Sequence, residues 1–127
     1  MHADENGGNR LSERIIGCAF QVLNTLGAGF LEKVYENALA HESRKSGPTV
    51  AQQQAITVTC DGVAVGDDSV ELLVEGTIIV ELKAIKALDN THMAQCLNYL
   101  KTTGLRLCPL LNFGKPRLEI QRVAHGL

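Results

Sequence analysis

No apolar run in the 127-residue sequence approaches the roughly 20 residues of a membrane-spanning helix, so no membrane partner is expected. Internal repeats and low-complexity linkers are absent. The opening residues MHADENGGNR carry neither the apolar core of a signal peptide nor the basic pattern of a transit peptide, and the expected location is the cytoplasm. Cysteine is sparse: Cys18, Cys60, Cys96 and Cys108 lie 42, 36 and 12 residues apart, and no CxxC or CxxH pair exists to hold zinc. Each sits in an apolar stretch, so four reduced, buried thiols are expected. Nor does a G-x-x-x-x-G-K phosphate loop follow any strand.

What is present is an ordinary globular composition, 45% hydrophobic and 20% charged, at a length that suits one domain. Net charge is only −2, but it is unevenly spread. Residues 1–82 carry 5 basic against 12 acidic side chains, and residues 83–127 carry 7 against 2. The basic half (Lys83, Lys86, Lys101, Arg106, Lys115, Arg117, Arg122) can face an anion such as nucleic acid; equally, it can be one solvated face of two.

Residues 1–10 read as a flexible tail and 11–127 as one domain. A first helix is expected from Ser12, as N-cap, to Leu26, with Ile15, Ile16, Ala19, Val22 and Leu23 at helical spacing. A second follows from Phe30 to Lys45, with Leu31, Val34, Tyr35, Ala38 and Leu39 as its buried stripe, stopped by Ser46-Gly47-Pro48. Strands are expected at 56–60 and 63–65 around an Asp61-Gly62 turn, then, after a break at 66–69, at 70–74 and 78–83. A third helix starts at Asp89, and two strands, 105–112 and 118–123, close the chain. Pro109 argues that its strand is bulged or at an edge. The order ααββββαββ makes this an α/β protein (α+β, mixed sheet).

The segment Ile78-Ile79-Val80-Glu81-Leu82-Lys83 carries the most chemistry. Ile78 and Val80 face one way, Ile79 and Glu81 the other, and apolar residues on both faces mark a central strand. Glu81 and Lys83 on such a strand are either paired or coordinated, or the strand simply runs out to solvent there. If Glu75, Gly76 and Thr77 form a three-residue turn, paired positions sum to 152 and Glu71 stands opposite Glu81, roughly 5 Å away at the backbone. A two-residue turn would put them on opposite faces. Two opposed carboxylates destabilise a sheet unless a cation lies between them, and a shared divalent ion suits phosphodiester cleavage. A neighbouring lysine can orient water or stabilise the charged transition state.

The motif Gly29-x-x-Glu32-x-x-Tyr35, followed by Glu71-Leu-Leu-Val, Val80-Glu-Leu-Lys-Ala, Ala94-Gln-Cys-Leu-Asn-Tyr-Leu and Leu111-Asn-Phe, resembles the GxxExxY protein family, a group within the PD-(D/E)XK nuclease superfamily, over about residues 10–123. The resemblance implies a restriction-endonuclease-like three-layer core, a central mixed sheet flanked by helices. It implies Mg²⁺- or Mn²⁺-dependent cleavage of DNA. Glu71 and Glu81 would hold the metal with help from Glu32, and Lys83 would serve as the catalytic lysine. Gln95 and Tyr99 match the Q-x-x-x-Y signature of RecB-like nucleases. Where the family carries Asp, this chain has Glu71, one methylene longer, which moves the carboxylate by about 1 Å. Shortening Glu71 to Asp is therefore expected to raise cleavage. A catalytically inactive nuclease-fold module, binding nucleic acid or a protein, is the alternative, and a homodimer is compatible with either. Without the family, Glu32 and Glu36 read as solvated helix charges, Tyr35 as core, and Asn112 as a turn residue.

Overall fold

The computed structural model describes residues 2–126, with side chains from Gly8 onward. Helices α1 (His2–Leu26) and α2 (Glu32–Lys45) precede strands β1 (Val50–Cys60), β2 (Val63–Val74) and β3 (Ile78–Lys83). Helix α3 (Asn90–Thr103) leads to β4 (Leu107–Asn112) and β5 (Glu119–Ala124). One five-stranded sheet runs in the order β1-β2-β3-β4-β5. Its neighbours are antiparallel except β3 and β4, which are parallel. A parallel pair needs a crossover, and α3 supplies it.

The sheet is covered on both faces, as the apolar pattern of β3 demands. Ile78, Val80 and Leu82 join Ile15, Ile16, Val22, Leu23, Tyr35 and Leu39 in one core, beneath α1 and α2. Ile79 turns the other way, to Cys96, Tyr99, Leu100, Cys108 and Leu110, beneath α3. The expected three-layer mixed-sheet architecture is the one observed.

Several boundaries differ from expectation. Helix α1 begins at His2, so Ser12 is buried within it and caps nothing. Residues 2–10, expected as part of a flexible tail, form the first turns of α1, and the side chains before Gly8 lie outside the described residues. In α2 the buried face is Tyr35, Glu36, Leu39, Ala40 and Ser43, while Leu31 and Val34 are exposed. The stripe is thus rotated away from its most apolar reading, because a carboxylate takes part of the inner face. No break interrupts β2 at 66–69: Asp67, Asp68 and Ser69 pair with Thr57, Ile56 and Ala55, so hairpin register overrides their poor strand propensity. One strand fewer is formed as a result. Cys60 is exposed at the hairpin tip and Cys18 is half-buried, so only Cys96 and Cys108 are the buried thiols expected; all four are free.

Asp89 caps α3 as anticipated, accepting from the backbone N–H of Thr91 (2.9 Å) and His92 (3.3 Å), while His92 Nδ1 accepts from the Asp89 N–H (3.0 Å). Pro109 lies in an internal strand. Pairing of β4 with β3 holds at Ile78–Leu107 and resumes at Glu81–Leu110, lapsing around Cys108 and Pro109. That lapse accommodates a residue with no N–H.

Asn112, expected in a turn, is instead the fully buried end of β4. Its Oδ1 accepts from the N–H of Ile85 and Gly114 (both 3.0 Å), and its Nδ2 donates to Ile85 O (2.9 Å) and Glu119 Oε1 (3.0 Å). Glu119 Oε1 also accepts from Leu88 N–H (3.1 Å). This clamp fixes the link between β3 and α3, and hence the spacing of Lys83 from the α3 side chains. Gly114 lies against that link: a Cβ there would stand 2.2 Å from Ile85 O and 2.3 Å from Ile85 N. Both are backbone atoms and cannot swing aside. Gly114→Ala is expected to destabilise the protein by about 3 kcal/mol or more. Urea unfolding of the two proteins measures it, and a difference under about 1 kcal/mol would show the clamp to be slack.

Candidate active site

The hairpin between β2 and β3 pairs Leu72 with Val80, Leu73 with Ile79 and Val74 with Ile78. These are the registers of a three-residue Glu75-Gly76-Thr77 turn, so the next rung belongs to Glu71 and Glu81. Side chains close that rung. Glu81 Oε2 accepts from Glu71 N–H at 2.7 Å, and Glu71 Oε1 accepts from Leu82 N–H at 3.1 Å. Beyond it, β2 pairs with β1 alone and the strands part. The split also lets a residue from the α2 layer reach the same place.

Both carboxylates are buried, Glu71 to 9% exposure and Glu81 to 3%. Burial, reinforced by the Glu81 charge and by Glu32, pushes Glu71 up to about 10. Burial likewise pushes Glu81 up, to about 7, with the hydrogen bonds from Glu71 and the Lys83 charge pulling it down. Titration belongs to the pair, which retains a proton at neutral pH.

The remaining expected residues gather around this pair. Glu32, the first residue of α2, adds to the upward push on Glu71. Lys83, two positions after Glu81 on the same face, favours the ionised Glu81 through its charge. From α3, Gln95 Nε2 donates to Tyr99 OH at 3.0 Å. Burial first, then the charges of Glu81 and Asp68, hold the Tyr99 hydroxyl above its ordinary range. Tyr99 thus faces Glu81, and Gln95 reaches the cluster through Tyr99.

Tyr35 is a core residue, as its place on the stripe implied. Its ring stacks on Phe113 (centroids 4.9 Å apart, planes 15° apart), and its hydroxyl donates to Gly27 O and accepts from Phe30 N–H. Glu36 is no solvated charge. It is 2% exposed, and its carboxylate accepts from Gln52 Nε2 (2.8 Å), Gln53 Nε2 (2.8 Å) and Lys33 Nζ (3.0 Å). Burial alone would raise it, but these donors outweigh burial and keep it below the usual carboxylate range. Sequence reasoning missed Glu36, Gln52 and Gln53. A signal was present: Glu36 sits between Tyr35 and Leu39 on the apolar side of α2, and three consecutive glutamines are unusual in a strand.

Of the basic residues, Arg122 is engaged with Glu13 (3.0 and 3.1 Å) and Lys115 with Glu119 (3.7 Å). Those two are held by the protein itself and are weaker candidates for an external phosphate.

All the acidic donors in the cluster are hard carboxylate oxygens, and burial makes their joint ionisation unfavourable without a cation. By chemistry the set fits a divalent ion. Among the described residues, no three His, Cys, Asp or Glu side chains converge on one point as they stand. The reason is visible at the split rung, where one oxygen of each buried carboxylate is turned onto a backbone N–H.

Residues 9–123 match the family model of the PD-(D/E)XK nuclease superfamily. The chain belongs to that superfamily. No curated protein sequence matches it. Among solved structures, the fold is similar to the crystal structure of an alkaline exonuclease (LHK-Exo) from Laribacter hongkongensis, with a TM-score of 0.54 at 17% identity. The similarity covers 94% of this chain and 69% of that one. At such identity the likeness speaks for the fold alone. In this member of the superfamily, the acidic rung and Lys83 lie on the second and third strands. No described helix is long and apolar enough to cross a membrane.

Proposed function

We propose that this chain is a divalent-metal-dependent nuclease that hydrolyses phosphodiester bonds in DNA, a member of the GxxExxY group within its superfamily. The observation that carries this reading is the split rung, where Glu71 and Glu81 are buried side by side with Lys83 on the same strand and Glu32 arriving from α2. Glu71, Glu81 and Glu32 would hold Mg²⁺ or Mn²⁺. When bound, the ion would bring a phosphate oxygen and an activated water within reach of these side chains. Lys83 presents a positive charge to the reacting phosphate and orients the attacking water. Tyr99, fixed by Gln95, keeps its proton at working pH and serves as a hydrogen-bond donor toward the substrate backbone. The exposed Lys86, Lys101 and Arg117 suit the flanking phosphates. Residues 11–127 form the nuclease unit, and a homodimer would let two copies address two strands.

One observation favours the alternative, a catalytically silent module that binds nucleic acid or a protein. One oxygen of each carboxylate in the pair already accepts a backbone N–H, so protein donors occupy part of the set that an ion would need. Plasmid nicking in Mn²⁺ separates the readings. The nuclease is expected to nick, and Lys83→Ala to lower the rate by about 10²- to 10³-fold. Glu71→Asp is now expected to lower it too, by about 10²-fold, reversing the expectation from sequence. The longer side chain is what spans the split to Leu82 N–H, so this pocket is built around Glu. No nicking by the wild type under any Mn²⁺ concentration would establish the silent module.

A further inference from the structure

Side chains of adjacent strand residues point to opposite faces. Gln52 and Gln53 break this rule: both amide nitrogens reach the same Glu36 carboxylate beneath α2, each at 2.8 Å. The backbone explains it, because Gln53 has φ of 51°, the left-handed region that non-glycine residues rarely adopt. The irregularity falls at one rung. Gln52 pairs with Leu72 and Gln54 with Val70, so Gln53 stands level with Glu71. Strand β2 slips its alternation at that level: Leu72 packs beneath α1 and α2, whereas Val70 packs beneath α3. Glu71 therefore occupies the step of a coordinated twist in two strands.

Gln53 is held in that step from two sides. Its Nε2 is given to Glu36 and its Oε1 accepts from Ser69 Oγ at 3.2 Å, two residues before Glu71. Glu36 lies one turn after Glu32 on α2. A single hydrogen-bonded bridge thus ties the helix that carries Glu32 to the strands beside Glu71.

We propose that Gln53 and Glu36 are positioning residues that set the geometry of the Glu32–Glu71–Glu81 cluster, a reading that deepens the nuclease assignment and rests on it. Neither residue touches the reacting groups. Gln53 fixes the twist that turns Glu71 into the split, and Glu36 fixes Gln53 and the register of Glu32 above it. Losing the bonds that support metal ligands typically costs about 10- to 100-fold in metal affinity.

The test uses the full chain carrying Gln53→Gly, with Ser69→Ala as a milder second variant. Glycine accepts a φ of 51° without strain, so only the side-chain bonds are lost. Amide hydrogen exchange is read at Glu71 and Leu82, whose N–H groups report the carboxylate bonds, and at Ile79 and Val80 as references. Thermal stabilisation by titrated Mn²⁺ is read beside it. The expected result is exchange about tenfold faster at Glu71 and Leu82 only, with about tenfold more Mn²⁺ needed for half-maximal stabilisation. Ser69→Ala should give the same local pattern at smaller amplitude. Unchanged exchange at both amides, or equal acceleration throughout the sheet, would overturn the proposal by making Gln53 a neutral residue or a mere fold anchor. Local acceleration in a protein whose wild type shows no Mn²⁺ response would support the positioning role and reject the metal-site reading instead.

Discussion

Glu81→Gln is expected to abolish Mn²⁺-dependent nicking, by more than about 10³-fold, while raising the melting temperature of the metal-free protein at pH 8. The activity loss follows from removing a charged oxygen ligand whose electrostatic contribution is several kcal/mol. The stability gain follows from the site. Glu81 is almost fully buried, and burial raises it to about 7, so at pH 8 the folded protein holds an ionised carboxylate in a poor solvent. Glutamine keeps the shape, and its amide oxygen can still accept from Glu71 N–H at the 2.7 Å site. The relief is on the order of 2 kcal/mol, a rise of several degrees for a domain of this size. Circular dichroism melts and a plasmid assay measure the two effects on one preparation. A variant that loses activity and stability together would mark Glu81 as a structural residue, and one that nicks at the wild-type rate would remove it from the site.

The metal-free wild-type protein is expected to lose stability as pH rises from 5 to 8.5, by several kcal/mol. Both Glu71 and Glu81 bind protons more tightly folded than unfolded, up to about 10 and about 7 against 4.5. Below pH 4.5 both states are protonated and the pair is neutral in its effect. Above it the unfolded chain releases protons that the folded one retains, and stability falls with pH through 7 and on toward 10. Carboxylates shifted the other way, Glu13 by Arg122 and Glu36 by its three donors, contribute stability that is lost only as pH falls below 4.5. They leave the slope above pH 5 to the pair. Mn²⁺ should flatten that slope, because a cation replaces the retained proton. Chemical denaturation at several pH values, with and without Mn²⁺, reads it; a stability that climbs steadily to pH 8.5 without metal would contradict the buried-pair electrostatics.

Period and punctuation carried much of the architecture. The two-faced apolar pattern of Ile78 to Leu82 argued a covered strand, Asp89 marked the start of α3, and the three-residue reading of Glu75-Gly76-Thr77, one of two left open, put Glu71 level with Glu81. These are local properties, fixed by neighbours a few residues apart. The same locality explains the errors. Gly66 to Ser69 look like a turn until pairing with Thr57, Ile56 and Ala55 holds them extended. Asn112 looks like a turn residue until Ile85 and Glu119, distant in sequence or across a strand pair, take up its amide.

The sequence by itself named the groups proposed for the chemistry: Glu71, Glu81 and Lys83 from register and spacing, and Glu32, Gln95 and Tyr99 from the family resemblance. Only the tertiary structure decided their state. That the rung between Glu71 and Glu81 is closed by side chains, that Glu36 is a buried anchor, and that Gln53 is twisted to meet it all depend on how α2 lies across β1 and β2. Burial and proton affinity are properties of what surrounds a group from several elements at once. A one-dimensional pattern records the carboxylate, and the packing of helix against split sheet sets whether it carries a charge.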